Sequence, residues 1–172
     1  LQLVLPQMEW FLKMQSADYF SYSLFLGSTA ALFEEVGRFV VIKLFLKKHH
    51  TFVDGLAFGI GHGGIEALLF AGINSILIVI LSLQSSVNAT SMVAGGFERL
   101  FAMLWHVAFT LMVFRSIRGS DNDGIPSGKG LLNAKLFWFV AAFLSHFLLD
   151  AITVYAMYLG ASILIIEIGL AI

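Results

Sequence analysis

Four long apolar runs, each closed by a short polar stretch, organise the chain. Residues 1–15 are apolar but interrupted by Pro6, Glu9 and Lys13, and read as the tail of a preceding span or an interfacial helix. Span A runs from Tyr19 to Lys47. Span B follows the polar turn HHTFVD and runs from Asp54 to Leu83, and the loop QSSVNATS separates it from span C, Met92 to Arg115. GSDNDGIPSGKG, with its Gly, Asp, Asn and Pro turn chemistry, is the clearest loop. Span D covers Leu131 to Leu159, and residues 160–172 begin a fifth. Each run has at least the roughly 20 helical residues that cross a bilayer. The runs are continuous and lack the period-2 alternation of barrel strands. The pattern predicts an all-α, polytopic transmembrane helix bundle of four to five spans, forming a single domain over 1–172. Because the first residue is Leu1 and not Met, the chain reads as a fragment of a longer protein.

Composition agrees with this class. The chain is 59% hydrophobic and 12% charged, with a mean hydropathy of +0.90, against roughly 45–50% and about 25% in soluble domains. The lipid bilayer is therefore its expected surrounding. A net charge of −1 with no basic stripe excludes a nucleic-acid partner. The absence of cysteine removes disulfides and thiolate-zinc sites. Lys43, Lys47 and Lys48 mark the A–B junction, and Arg115, Arg118, Lys129 and Lys135 the C–D side, while the B–C loop has neither Lys nor Arg. The positive-inside rule puts A–B and C–D in the cytoplasm.

Depth along the helices then singles out the polar residues. Glu34 and Glu35 lie 13 and 12 positions before Lys47, His62 lies 8 after Asp54, His106 lies 9 before Arg115, and His146 lies 11 after Lys135. At about 1.5 Å per residue, four spans offer ionisable groups on the order of 12 to 20 Å from their cytoplasmic ends. Such groups are expensive near mid-bilayer and normally face a cavity or each other. Glu34 and Arg38, His62 and Glu66, and His146 and Asp150 are i, i+4 pairs, so each pair shares a helix face. Gly55, Gly59 and Gly63 form a small-residue stripe suited to close helix packing. Glu34, Glu35, Glu66, Glu98 and Asp150 set five negatives against Arg38 and Arg99, a formal −3. Carboxylates sharing a cavity with histidines can activate water. His62, His106 and His146 are equally the candidate ligands of a divalent metal such as zinc. Glu98-Arg99, toward the outer half of span C, reads as an ion pair that orders the bundle. His49 and His50 read as a solvated cap, Asn88-Ala89-Thr90 as a weak sequon match, and Glu167 has no assigned role.

FEEVGRF at 33–39, FGIGHGGIEA at 58–67, ERLFAMLWHVAF at 98–109 and HFLLDA at 146–151 resemble the successive motifs of the YhfC family of intramembrane proteases, in the clan of the type II CAAX prenyl proteases. That clan's pattern is EExxxR, FxxxH, a His-bearing helix, and HxxxN or HxxxD. Here Arg38 follows the glutamate pair after two residues instead of three, so both glutamates are candidates for the catalytic one. The resemblance implies a CAAX-protease-like bundle that hydrolyses a peptide bond of a substrate in or near a bacterial cell membrane, its site opening toward the cytoplasmic half. Glu34 or Glu35 with His62 would activate water, and His146 with Asp150 would orient it or stabilise the oxyanion. Arg38, Glu66, His106, Glu98 and Arg99 would line or support the cavity, with or without a metal. Glu35 is favoured as the base, because Glu34 sits one turn from Arg38 and is expected to pair with it. Two other classes use similar residues: a proton- or cation-coupled transporter, and a non-catalytic scaffold like the gamma-secretase subunit that the clan resembles.

Overall fold

A computed structural model describes residues 4–49, 51–81, 89–118, 129–162 and 166 of the chain. After a short 3₁₀ turn at Leu5–Gln7, the helices are α1 (Glu9–Ala17), α2 (Tyr19–Phe45), α3 (Phe52–Ala67), α4 (Ile73–Leu81), α5 (Ala89–Arg118) and α6 (Lys129–Tyr158). A π-helical turn, Leu68–Gly72, joins α3 to α4. No strand occurs among the described residues, as the unbroken apolar runs predict.

Local chemistry fixes the helix starts. The Asp18 side chain caps α2 by accepting the Ser21 backbone N–H at 3.1 Å and the Ser21 hydroxyl at 2.5 Å. Thr51 and Asp54 form a reciprocal capping box that starts α3 two residues earlier than the hydropathy pattern suggests. The π turn interrupts span B where sequence predicts one continuous helix. Its only local signal is Gly72, where a Cβ would lie 3.3 Å from Leu68 Cδ1.

The helices pack as antiparallel neighbours, α2 along α6, α3 along α5 and α5 along α6, and α2 also touches α5. The α2–α6 register runs through Tyr19 stacked on Tyr158, Gly27 against Ala151, Glu35 on His146 and Phe39 against Phe139. Gly27 permits that approach, since a Cβ there would lie 2.7 Å from the Phe147 carbonyl oxygen. The predicted glycine stripe performs the same task for α3. A Cβ on Gly59 would meet Val107 Cα at 2.7 Å, and one on Gly63 would meet Met103 Cα at 3.0 Å.

Exposure is inverted relative to a soluble protein. Phe33, Leu104 and Phe137 are more than 60% exposed, whereas Glu35, Arg38, His106 and His146 are buried. This is the distribution a lipid solvent selects. Helix segments Gly95–Arg118 and Asn133–Tyr158 are long and apolar enough to cross a membrane on their own. Helix α2 has 27 residues, but Glu34, Glu35 and Arg38 dilute its apolar character, and the π turn divides span B. The predicted fifth segment, including Glu167, lies almost wholly outside the described residues, as do His50, Asn88 and most of both interhelical loops.

Trp10, Tyr19, Tyr22, Tyr155 and Tyr158 gather at one end of α2 and α6, the residue types enriched at a membrane interface. At the opposite end Lys43 lies over Phe39 and Arg115 over Trp138, each 5.3 Å from the ring centroid. Just inside it, Ile42, Val113, Phe114 and Ala142 form a dry core packed by Phe39, Phe58 and Phe139. The ionisable layer sits immediately beyond this core, closed off by hydrocarbon on that side.

Candidate functional site

Successive residues on an α-helix point about 100° apart, so Glu34 and Glu35 must face different neighbours. Glu35 turns toward α6 and is fully buried. Its Oε1 bonds His146 Nδ1 at 2.7 Å and accepts a hydrogen bond from Arg38 Nη1. The second guanidinium nitrogen, Nη2, lies 3.0 Å from His106 Nδ1 on α5. Arg38 thus ties three helices together through Glu35 and His106, with a fully buried side chain.

Glu34 faces the other way, toward α3, with a side chain 30% exposed. Its Oε2 lies 3.7 Å from His62 Nε2 and 3.8 Å from His106 Nδ1, His146 Nε2 and Arg38 Nη2. That oxygen is itself buried and has no hydrogen-bond partner. The expected Glu34–Arg38 ion pair is present at 3.8 Å, but Glu35 is the closer partner. Arg38 bonds Glu35 and only approaches Glu34, because the i, i+3 direction from Glu35 follows the face turned into the bundle.

The remaining predicted residues join the same layer. His106 Nε2 lies 2.7 Å from Glu66 Oε2, and Glu66 Oε1 lies 3.8 Å from Arg99 Nη1. Glu98 pairs with its neighbour Arg99 on the same helix. On α6, Asp150 Oδ2 lies 3.4 Å from His146 Nε2. Phe109, absent from the predicted set, stacks on the His146 ring with centroids 4.7 Å apart and planes at 10°. It sits one turn after His106 on α5, and that spacing was its only signal in the sequence.

A divalent metal can be tested against these atoms. One ligand atom each from Glu34, His62, Glu66 and His106 lie within 4.8 Å of one another. Two of the three predicted histidines fall in this group, while His146 is engaged by Glu35 and stands apart from it. Two carboxylates and two imidazoles match the oxygen and nitrogen chemistry of a zinc-type site, so the donor set fits such an ion. His49, at the interface, lies 3.9 Å from Asp54 and takes no part in the cluster.

Comparison with known proteins supplies the family. A model described as YhfC intramembrane metalloprotease matches residues 1–92, more than half of the chain. The "Uncharacterized membrane protein YhfC" of Bacillus subtilis (strain 168) is 43% identical over 79 residues, which are 46% of this chain and 28% of that protein. The match thus spans less than a third of the relative's length. No solved structure matches. The chain belongs to the YhfC intramembrane metalloprotease family and is an integral membrane protein.

Proposed function

We propose that this family member hydrolyses a peptide bond within or near the membrane, with Glu34 as the general base that activates water. The observation that carries the reading is Glu34 Oε2, buried and unpartnered yet 3.7 Å from His62 Nε2 and 3.8 Å from His146 Nε2. These separations are longer than direct hydrogen bonds, and in the proposed mechanism the groups part slightly to admit a water between them. Glu35 Oε2 is likewise buried and unpartnered, but its other oxygen is committed to Arg38 and His146 and its side chain is fully buried, so Glu35 is assigned to support the site.

In this mechanism His62 holds the water while Glu34 takes its proton, and the water oxygen bonds to the carbonyl carbon. The ring of His146 is fixed by Glu35 at one nitrogen and by Phe109 against one face. Its Nε2, 3.4 Å from Asp150 Oδ2 and 3.8 Å from Glu34 Oε2, would donate to the oxyanion. Protonated Glu34 then returns the proton to the leaving nitrogen as the C–N bond breaks. Glu34, His62 and Glu66 would hold a divalent cation such as zinc, which when bound acidifies its water and polarises the carbonyl. A carboxylate has two oxygens and about four lone pairs, so Glu34 can contact an ion and still accept a proton. The substrate class is a membrane-embedded or membrane-proximal peptide of a bacterial cell membrane; the expected opening toward the cytoplasmic half is not supported, because the Ile42, Val113, Phe114 and Ala142 core closes the layer on the Lys43 and Arg115 side.

The test is cleavage of a panel of single-span peptides by the full-length protein in proteoliposomes, in water enriched in oxygen-18. One heavy oxygen should enter each new carboxyl terminus, and Glu34→Gln should slow cleavage about 10²–10⁴-fold. A stable, fully active Glu34→Gln protein would remove the basis of the reading.

A further inference from the structure

The geometry points to His106 as a positioning residue whose proton is placed by Arg38, and not as a metal ligand. This rests on the metal-assisted form of the reading above and narrows its ligand set.

The inference starts from what a guanidinium can do. All five polar hydrogens of arginine donate and none of its nitrogens accepts. Arg38 Nη2 stands 3.0 Å from His106 Nδ1 inside the bundle, with the arginine side chain fully buried and that of His106 8% exposed. Nδ1 must therefore be the acceptor, and the ring proton is on Nε2. Nε2 faces Glu66 Oε2 at 2.7 Å, an acceptor at hydrogen-bond distance. Donor meets acceptor at both ends of the ring.

A metal-bound histidine has the opposite arrangement. It offers the lone pair of one nitrogen to the ion and donates the N–H of the other to a carboxylate, carbonyl or water. If His106 bound an ion through Nε2, its proton would move to Nδ1 and confront the N–H of Arg38. Binding through Nδ1 would require Arg38 to leave, and Arg38 also bonds the buried Glu35. His106 therefore orients Glu66, and Glu34, His62 and Glu66 are the groups left for an ion. His62 has no such conflict: its Nε2 lies near Glu34 Oε2, and its ring is tilted 52° against that of His106 at 5.1 Å.

Glutamine at this position reproduces the acceptor and donor ends of the ring but not an imidazole ligand, which makes the proposal testable. Solid-state nitrogen NMR of the full-length, zinc-free protein labelled at histidine should find His106 Nδ1 unprotonated and Nε2 protonated, the signals assigned by their loss in His106→Gln. Zinc binding to the same protein should weaken less than about tenfold in His106→Gln and by about 10–100-fold in His106→Leu, the range for loss of a residue that orients a ligand. In His62→Gln it should weaken more than about 100-fold. A proton on Nδ1, or a His106→Gln loss equal to that of His62→Gln, overturns the assignment. If wild-type protein takes up no zinc, the metal component of the proposed function fails and the tautomer alone decides: Nε2–H upholds the Arg38–His106–Glu66 chain and Nδ1–H refutes it.

Discussion

The ionisable layer contains two tiers that differ in how deeply they are buried and how close their contacts are. In the inner tier, Glu35 and Arg38 have fully buried side chains, with His146 at 4% and His106 at 8% exposure. They form a chain from α6 through α2 to α5. In the outer tier, Glu34, His62, Glu66 and Asp150 are 25–32% exposed. Their contacts are mostly separations of 3.4–3.8 Å, with Glu66 on His106 the close exception. Buried oxygens without a partner occur in both tiers, Glu34 Oε2 and Glu35 Oε2, so depth of burial is what separates them, and the proposed chemistry is assigned to the more exposed outer tier. Membership is decided by helix rotation, which is why two adjacent glutamates fall into different tiers.

The largest effect that would break this contrast is on stability. Arg38→Ala strips the inner tier of its cation and leaves Glu35 buried beside His146. It should lower unfolding free energy by about 3–5 kcal/mol, the range for removing one partner of a buried pair, as measured by denaturant titration in mixed micelles. A change below about 1 kcal/mol would mean the inner tier is not a structural network. A smaller effect separates the glycines of α3. Gly59→Ala forces a methyl against the Val107 backbone and should cost about 1–3 kcal/mol. Gly61→Ala meets nothing within 4 Å and should be neutral or stabilise α3 by up to about 1 kcal/mol. Equal effects would remove the evidence for close α3–α5 packing, which carries His62 to the site.

The smallest expected effect lies outside both tiers. Hydrogen bonds from Ser21 hold the Asp18 carboxyl below its ordinary value of 3.8. A depressed carboxyl stabilises the folded state above that value, and the contribution fades as pH falls through the lower, folded value. Asp18→Ala should lower the melting midpoint slightly at neutral pH, and the difference from wild type should vanish in acid. A difference that persisted in acid would show that the charged cap is not the cause.

Much of this was legible in the amino-acid sequence, for physical reasons. Long apolar runs located the helices to within a few residues, and i, i+4 spacing brought His62 with Glu66 and His146 with Asp150 onto common faces. What stayed hidden depended on rotation and on partners from distant segments. Whether Glu34 or Glu35 turns inward is settled by α6, through His146, 111 positions after Glu35. Arg38 keeps the expected ion pair with Glu34 at 3.8 Å, but its hydrogen bond goes to Glu35 for that reason. Gly27 has no sequence signal, because a single glycine in an apolar run has no spacing to mark it. The π turn after Glu66 also left no periodic trace.

The division between the two glutamates is tested most directly by measuring cleavage rate and unfolding free energy together for Glu34→Gln and Glu35→Gln. The account predicts that Glu34→Gln melts like wild type, within about 1 kcal/mol, while losing about 10²–10⁴-fold in rate. Glu35→Gln should be destabilised by several-fold more than Glu34→Gln and keep the larger share of its rate wherever it remains folded. The reverse result, an inactive but stable Glu35→Gln beside an active Glu34→Gln, would contradict the account.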